Sequence, residues 1–168
     1  MSKVAALKEM TTYPKVCLDD PKVSATKGTY ILVVELDAEQ RIHVGSLGVI
    51  QFPRACYAYL GSALGGFKSR VKHHLSKDKK QKWHIDYLLS EAKVLQIILC
   101  ETERRLECLL SGALANELSF VPSFGSSDCS CRSHLYFASD RAYLELGIRS
   151  AITEVALPRE PFKEMLGF

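Results

Sequence analysis

The sequence predicts an α/β (α+β) domain with a small, mainly antiparallel sheet flanked by helices. Two apolar, β-branched runs, over 28–36 and 94–100, indicate strands. Between and after them, apolar residues recur at helical spacing, which indicates amphipathic helices. At 168 residues the chain is long enough to bury a core of its own.

The predicted fold is organised around the stretch from Tyr57 to His74. Its aromatic start indicates a strand, and Gly65-Gly66 then marks a tight turn. A helix follows, because Phe67 and the apolar residues four and eight positions later share one face. Arg70 and His74 are also four apart, so they share another face of this helix.

An inserted β-hairpin is predicted between the first strand and this central stretch. The segments 41–44 and 49–52 alternate in polarity on either side of a glycine-containing turn at 45–48. Twenty-eight residues separate Tyr30 from Tyr59. A hairpin lengthens this connection without separating the two tyrosines in space. His43 lies on the insert, and we expect it at the surface.

The second half alternates helices with short strands. A helix is predicted to begin at Trp83 and run to Leu89, and a longer amphipathic helix is predicted over 102–118. A loop rich in Pro, Ser and Gly over 120–134 precedes a short strand at 135–137. Ser139-Asp140 has the composition of a cap for a further helix. The remaining tail contains two prolines and gives no structural signal.

The organisation we expect is an N-terminal arm (1–27), one domain (28–138) and a C-terminal extension packed on it (139–168). The arm includes apolar residues at helical spacing over 1–12, which predict a short helix. No apolar run has the length of a membrane span, and no signal peptide opens the chain. The six cysteines are too sparse for a disulfide scaffold. We expect a cytoplasmic protein whose thiols are mostly reduced.

Positive charge is concentrated in one window of the chain. Between Lys68 and Lys82 there are seven Lys or Arg residues and one acid, so the window carries +6. Because the whole chain carries +3, the remainder carries −3. Such a patch indicates either a solvated polar surface or a surface that binds a polyanion. Its lysines are the predicted nucleic-acid contacts: Lys68, Lys72, Lys77, Lys79, Lys80 and Lys82.

The central stretch resembles the signature of the GIY-YIG nuclease superfamily. Gly28-Thr29-Tyr30 is similar to its first triplet, and Tyr59-Leu60-Gly61 to its second. The chain resembles most closely a branch of this superfamily found in some proteins fused to endonuclease III. That resemblance covers about 28–137 and includes the segments 83–87 and 125–129.

The resemblance implies a metal-dependent endonuclease that hydrolyses the phosphodiester backbone of DNA. Arg70 would then hold the phosphate, Tyr30 or Tyr59 would take or relay the proton of the attacking water, and His74 would contact the phosphate or assist the base. Glu107 matches the metal-binding glutamate of the superfamily, with Glu103 as the second choice. The expected cofactor is Mg²⁺ or Mn²⁺. The alternative is a nucleic-acid-binding module that retains the fold without catalysis.

The loop over 125–134 is the second place where chemistry is predicted. The superfamily carries an asparagine in this late region, where the chain has Ser126, Ser127 and Asp128 instead. The loop ends in a Cys-x-Cys-x2-His motif, formed by Cys129, Cys131 and His134. These residues and Asp128 offer up to four metal ligands, with zinc as the candidate ion. The competing expectation is reduced, largely buried thiols and a histidine hydrogen-bonded to the backbone or to Asp128. A disulfide between the two cysteines would close a strained loop.

Overall fold

A computed structural model describes residues 13–17 and 19–166 of the chain. The predicted helix over 1–12 lies outside the described residues. Nine β-strands are described, in chain order: β1 (Lys15–Val16), β2 (Gly28–Leu36), β3 (Gln40–His43), β4 (Val49–Phe52), β5 (Ala55–Ala63), β6 (Lys93–Glu101), β7 (Ser119–Phe120), β8 (Leu135–Ala138) and β9 (Phe162–Met165).

Five α-helices are described alongside the strands. They are α1 (Pro21–Ser24), α2 (Phe67–Leu75), α3 (His84–Leu89), α4 (Leu106–Leu114) and α5 (Arg141–Val155). Asp20 caps α1 and Asp140 caps α5, each through a side-chain oxygen that accepts a backbone N–H of the first turn. The predicted cap at Asp140 is confirmed.

Seven of the strands form one sheet, in the order β1-β9-β6-β2-β5-β8-β7. All neighbours are antiparallel except β1 and β9, which are parallel. Strands β3 and β4 pair as a separate antiparallel hairpin around a 3-10 turn at Gly45–Leu47. The mixed α/β class, the mainly antiparallel sheet and the inserted hairpin are confirmed, and His43 is exposed on the hairpin.

Helices cover both faces of the sheet. One face packs Tyr30 and Leu32 of β2 against α2, α3 and the hairpin. The other face packs Ile31 and Val33 against α4 and α5. Successive residues of a strand point to opposite faces, so a strand covered on both sides must be apolar throughout. This explains the apolar run from Tyr30 to Val34 in β2, a strand whose bounds match the predicted ones.

The predicted helix over 102–118 is too long, because the helix occupies only Leu106–Leu114. At its start, the Thr102 hydroxyl accepts the backbone N–H of Arg104, forming a turn that competes with the helix. Arg105 then flanks the helix with a non-helical backbone conformation. Some leucines in this range are buried in turns and others in the helix. The periodicity of the leucines alone does not distinguish these two cases.

The C-terminal segment contributes to the sheet, although its residues carry no recognisable strand pattern. Strand β9 pairs with β6 at Ile98, Leu99 and Cys100, and with β1 on its other side. Both the arm and the extension therefore supply strands to the sheet of the central domain. The sequence of β9 is only four residues long and half polar, so the periodicity of its apolar residues could not identify this strand.

Candidate active site

A polar cleft of about 370 Å³ opens at the edge of β5. Strand β8 pairs with β5 only from Cys56 to Tyr59. Beyond that point the next residues of β5, Leu60 to Ser62, line the cleft. The end of the β8 pairing thus creates an opening where residues from both faces of the sheet can meet.

Four of the five predicted catalytic and metal-binding residues line this cleft: Tyr30, Tyr59, Arg70 and Glu107. The fifth, His74, is buried directly behind Tyr30. A buried imidazole cannot contact a bound phosphate, so of the two roles expected for His74 only assistance to a tyrosine remains. The cleft also includes Lys82, Trp83, Asp128 and His134.

Tyr30, His74 and Asp86 form a connected chain of polar atoms. Tyr30 Oη lies 2.8 Å from His74 Nε2. His74 Nδ1 faces Asp86 Oδ1 at 3.6 Å, slightly beyond hydrogen-bond distance, and neither atom has a hydrogen-bond partner in the described part of the chain. Because a carboxylate can only accept, we assign the ring proton to Nδ1. Nε2 then accepts the hydrogen bond from the Tyr30 hydroxyl.

The local environment keeps Tyr30 and His74 neutral. Burial raises the pKa of Tyr30 well above its ordinary value, and neighbouring Tyr59 raises it further. Burial lowers the pKa of His74, although Asp86 opposes the shift. For Asp86 itself, burial alone would raise the carboxyl pKa. The nearby Nδ1–H of His74, together with hydrogen bonds from His73 and from the backbone of Trp83 and Lys82, outweighs burial and lowers that pKa.

The lowered pKa of His74 predicts a pH-dependent stability. In the unfolded chain this histidine binds a proton at a higher pH than in the folded protein, so acid favours unfolding. Its contribution is complete above about pH 6.5 and is lost as pH falls through the folded-state pKa. Three charged groups lie near the His74 ring: Asp86 raises the pKa of His74, whereas Arg70 and Lys79 lower it.

Urea unfolding from pH 7.5 to pH 5.5, a range of about two units around the ordinary histidine pKa, measures this effect. We expect a free energy of unfolding that decreases with acidification, and a shallower decrease in His74→Gln. Exposed His43 offers the control, His43→Gln, which should retain the wild-type slope. An identical slope in His74→Gln and the wild type would contradict a neutral, buried His74.

Arg70 and Trp83 form one wall of the cleft. The Arg70 guanidinium carbon lies 3.9 Å from the centre of the Trp83 ring, and Lys82 Nζ lies 4.7 Å from the same ring. Both distances are within the range of cation–π interactions. Stacking holds the guanidinium plane while its N–H donors stay free for an anion. The wall can therefore bind a phosphate or another oxyanion.

Glu107 reaches the cleft from the helix layer on the opposite face of the sheet from Tyr59. It lies in the first turn of α4 and is largely buried. Its Oε2 accepts a hydrogen bond from Thr29 Oγ1 at 3.2 Å, and its Oε1 lies 3.7 Å from Arg105 Nε. The side chain nonetheless lines the same cleft as Tyr59, because the cleft opens past the end of β8. Glu103 lines a different pocket, so it is not an alternative here.

Gly61 is required by the position of the Tyr30 ring. A Cβ at this residue would lie 2.3 Å from the Tyr30 hydroxyl oxygen, closer than side-chain atoms ever approach. The ring of Tyr30 crosses over Gly61, its register partner on β5. A glycine at this place therefore lets the hydroxyl reach His74.

His84 and Asp86 orient neighbouring segments of the backbone. His84 Nδ1 accepts the backbone N–H of Gly125 at 3.0 Å, which ties α3 to the loop over 125–134. Asp86 accepts the backbone N–H groups of Lys82 and Trp83, which caps α3. Sequence reasoning missed the contact between Asp86 and His74, because they lie on different helices.

The lysines of the predicted patch lie in different environments. Lys68 pairs with Asp19 at 3.0 Å, and the ammonium of Lys79 donates to the backbone carbonyl of His74. Lys79 is half-buried, and burial lowers its pKa. Lys80 and Lys82 remain exposed, and Lys82 lines the cleft. Lys72 and Lys77 are also exposed, but neither lines the cleft.

The cysteine loop differs from the expectation in two respects. Cys129 and Cys131 are only half-buried, so the prediction of largely buried thiols is wrong. His134 Nε2 lies 3.5 Å from Cys129 Sγ, a contact with a thiol rather than the expected one with Asp128 or the backbone. Asp128 itself lies 3.9 Å from Arg105. All six cysteines are free thiols.

The fold and the cleft define an α/β protein with a central, mostly antiparallel sheet and a polar, arginine-bearing cleft where the pairing of β5 with β8 ends. Residues 29–157 match the family described as "Domain of unknown function DUF123", and the chain belongs to that family. Comparisons with curated proteins and with solved structures gave no match. No described helix is both long and apolar enough to cross a membrane.

Proposed function

We propose that this protein is a GIY-YIG-like, metal-dependent endonuclease that hydrolyses the phosphodiester backbone of DNA. The observation that carries the proposal is the shared cleft of Arg70, Glu107, Tyr30 and Tyr59. Backbone hydrolysis is promoted by a phosphate-binding cation, a proton acceptor for water and a Lewis-acidic metal ion. The cleft contains an arginine for the first role, tyrosines for the second and a carboxylate that would hold the metal ion. The two triplets of the GIY-YIG resemblance support the proposal, since β2 and β5 pair Tyr30 with Gly61.

Glu107 has the properties of a ligand for a divalent cation. Its carboxylate is held by Thr29 and borders a cleft that is open to solvent. Mg²⁺ is usually bound by one or two carboxylates, with water and substrate phosphate oxygens completing its shell. The residues present therefore fit Mg²⁺ or Mn²⁺, and the bound ion would supply Lewis-acid stabilisation of charge on the phosphate.

The protein's own residues account for the remaining steps. Arg70 binds two phosphate oxygens with its fork of donors, and stacking on Trp83 orients it. A neutral tyrosine is a poor base, because its phenol must first lose a proton. Neutral His74 can accept the Tyr30 proton at Nε2, and Asp86 stabilises the imidazolium that results. This path favours Tyr30 over Tyr59 as the residue that takes the proton from water.

A cleavage assay with purified protein tests the proposal. Duplex, single-stranded and branched DNA are each incubated with Mg²⁺ or Mn²⁺, and the products are separated by size. We expect metal-dependent cleavage of at least one substrate and none in the presence of a chelator. Binding of all substrates without cleavage would overturn the proposal in favour of the non-catalytic binding module.

Lys80 and Lys82 should supply part of the DNA affinity. Removing one ion pair between a lysine and a phosphate should reduce the slope of log affinity against log salt by about 0.9. We therefore expect Lys80→Gln/Lys82→Gln to bind DNA more weakly and with a shallower slope, measured by fluorescence anisotropy over a range of salt concentrations. Exposed Arg54 and Arg159 provide the control, Arg54→Gln/Arg159→Gln, which removes the same charge outside the cleft. Equal slopes in the two double variants would place the DNA elsewhere.

A further inference from the structure

Three thiols and one imidazole meet beside the cleft, where helix α4 contacts the loop over 125–134. Cys108 projects from the first turn of α4, and Cys129, Cys131 and His134 come from the loop. Their ligand atoms all lie within 4.8 Å of one another. Sequence spacing revealed three of these residues. It did not reveal Cys108, which lies inside a leucine-rich helix.

The distances suit a tetrahedral ion. With Zn–S bonds of about 2.3 Å and Zn–N bonds of about 2.05 Å, a tetrahedron has a sulfur–nitrogen edge of about 3.6 Å and a sulfur–sulfur edge of about 3.8 Å. Cys129 Sγ and His134 Nε2 are already 3.5 Å apart. Since all ligand atoms lie within 4.8 Å of one another, the widest separation exceeds the sulfur–sulfur edge by at most about 1 Å, which small side-chain rotations would close.

The ligand chemistry selects zinc over the cation expected at Glu107. Thiolates are soft ligands that favour zinc, whereas Mg²⁺ takes oxygen ligands. Three cysteines and one histidine complete a tetrahedron without water, which is the composition of structural zinc sites. Asp128 is not needed as a ligand, since its side chain is 79 % exposed and lies near Arg105.

We propose that Cys108, Cys129, Cys131 and His134 form a structural Zn²⁺ site that fixes the 125–134 loop against α4. The loop has no regular secondary structure, yet Gly125, Ser127 and Asp128 from it line the cleft. On α4, Cys108 directly follows Glu107. A bound zinc ion therefore joins the two segments that shape one side of the cleft. The site does not depend on the proposed nuclease function, because the four ligands alone define it.

Metal content of the full chain tests the site directly. The protein is purified without a metal-affinity column, dialysed in a metal-free reducing buffer and analysed for metals. We expect about one equivalent of zinc per chain. Exchange with Co²⁺ should give the near-ultraviolet thiolate charge-transfer bands and the intense visible bands of a tetrahedral sulfur-rich site. A chelator should lower the melting temperature, and Zn²⁺, but not Mg²⁺, should restore it.

Single substitutions assign the ligands. Cys108→Ser and Cys131→Ser should each lose most of the bound zinc, whereas Cys17→Ser should retain it, because Cys17 is exposed and lies outside the cluster. If either ligand variant fails to fold, the metal content and the cobalt spectrum of the wild type still decide whether the zinc site exists. Protein without zinc, or a cobalt spectrum without thiolate bands, would overturn the proposal. So would a disulfide among the three cysteines that persists in the reducing buffer. The metal analysis and the cobalt spectrum involve no nucleic acid. The zinc-site proposal and the nuclease proposal can therefore fail independently of each other.

Discussion

Arg70→Ala should lower the rate of DNA cleavage about 10²–10³-fold, the usual cost of losing one preorganised donor that stabilises transition-state charge. The Arg70 guanidinium is oriented by Trp83 at the wall of the cleft, so its donors need no rearrangement on binding. DNA affinity should fall much less, because exposed lysines share the phosphate contacts. Single-turnover cleavage and anisotropy binding, measured on the same protein, separate the two effects.

Arg70→Lys is the informative companion to the alanine variant. It keeps the positive charge but replaces a fork of donors with a point charge, so we expect little recovery of the rate. Arg54→Gln is the control, since Arg54 is exposed and lies outside the cleft. Full activity in Arg70→Lys would mean that charge alone suffices and that bidentate binding is not part of the mechanism.

Glu107→Gln should lower the cleavage rate at least as much as Arg70→Ala. Glutamine nearly preserves the shape of the side chain and can still accept the hydrogen bond from Thr29, so the fold should survive. The negative charge that attracts a divalent cation is lost, and with it the Lewis acid. DNA binding should persist, because removal of a carboxylate does not weaken contacts to phosphates.

Glu103→Gln is the matched control for this substitution. It makes the same change three residues before α4, at a side chain that lines a different pocket. We expect cleavage at the wild-type rate. The opposite pattern, with activity lost in Glu103→Gln and kept in Glu107→Gln, would contradict the assignment of Glu107 as the metal ligand.

The strands nearest the site were predictable, because the burial of a strand determines which of its residues are apolar. Strand β2 is covered on both faces, so its apolar run has clear ends. The hairpin of β3 and β4 has one buried and one exposed side, and alternation revealed it. Tyr30, Tyr59, Arg70 and Glu107 were each proposed from the residues or from the family resemblance, and all four line the cleft.

The partners of these residues were not predictable from spacing. Asp86 meets His74 only because α3 packs beside α2, and the fold that brings them together leaves no local pattern. Cys108 belongs to a helix whose sequence is dominated by leucine periodicity, so nothing distinguished it as a ligand. Thr29 is similarly an ordinary strand residue until Glu107 approaches it from α4, which covers the same face of the sheet.

The Mg²⁺ dependence of single-turnover DNA cleavage tests the central claim most directly, with wild-type, Arg70→Ala and Glu107→Gln proteins purified in parallel. The proposal predicts that the wild type cleaves at a rate that rises and saturates with Mg²⁺, while both variants bind the same DNA and cleave it at least about 10²-fold more slowly. The claim is contradicted if the wild type cleaves no DNA with Mg²⁺ or Mn²⁺, or if both variants cleave as fast as the wild type.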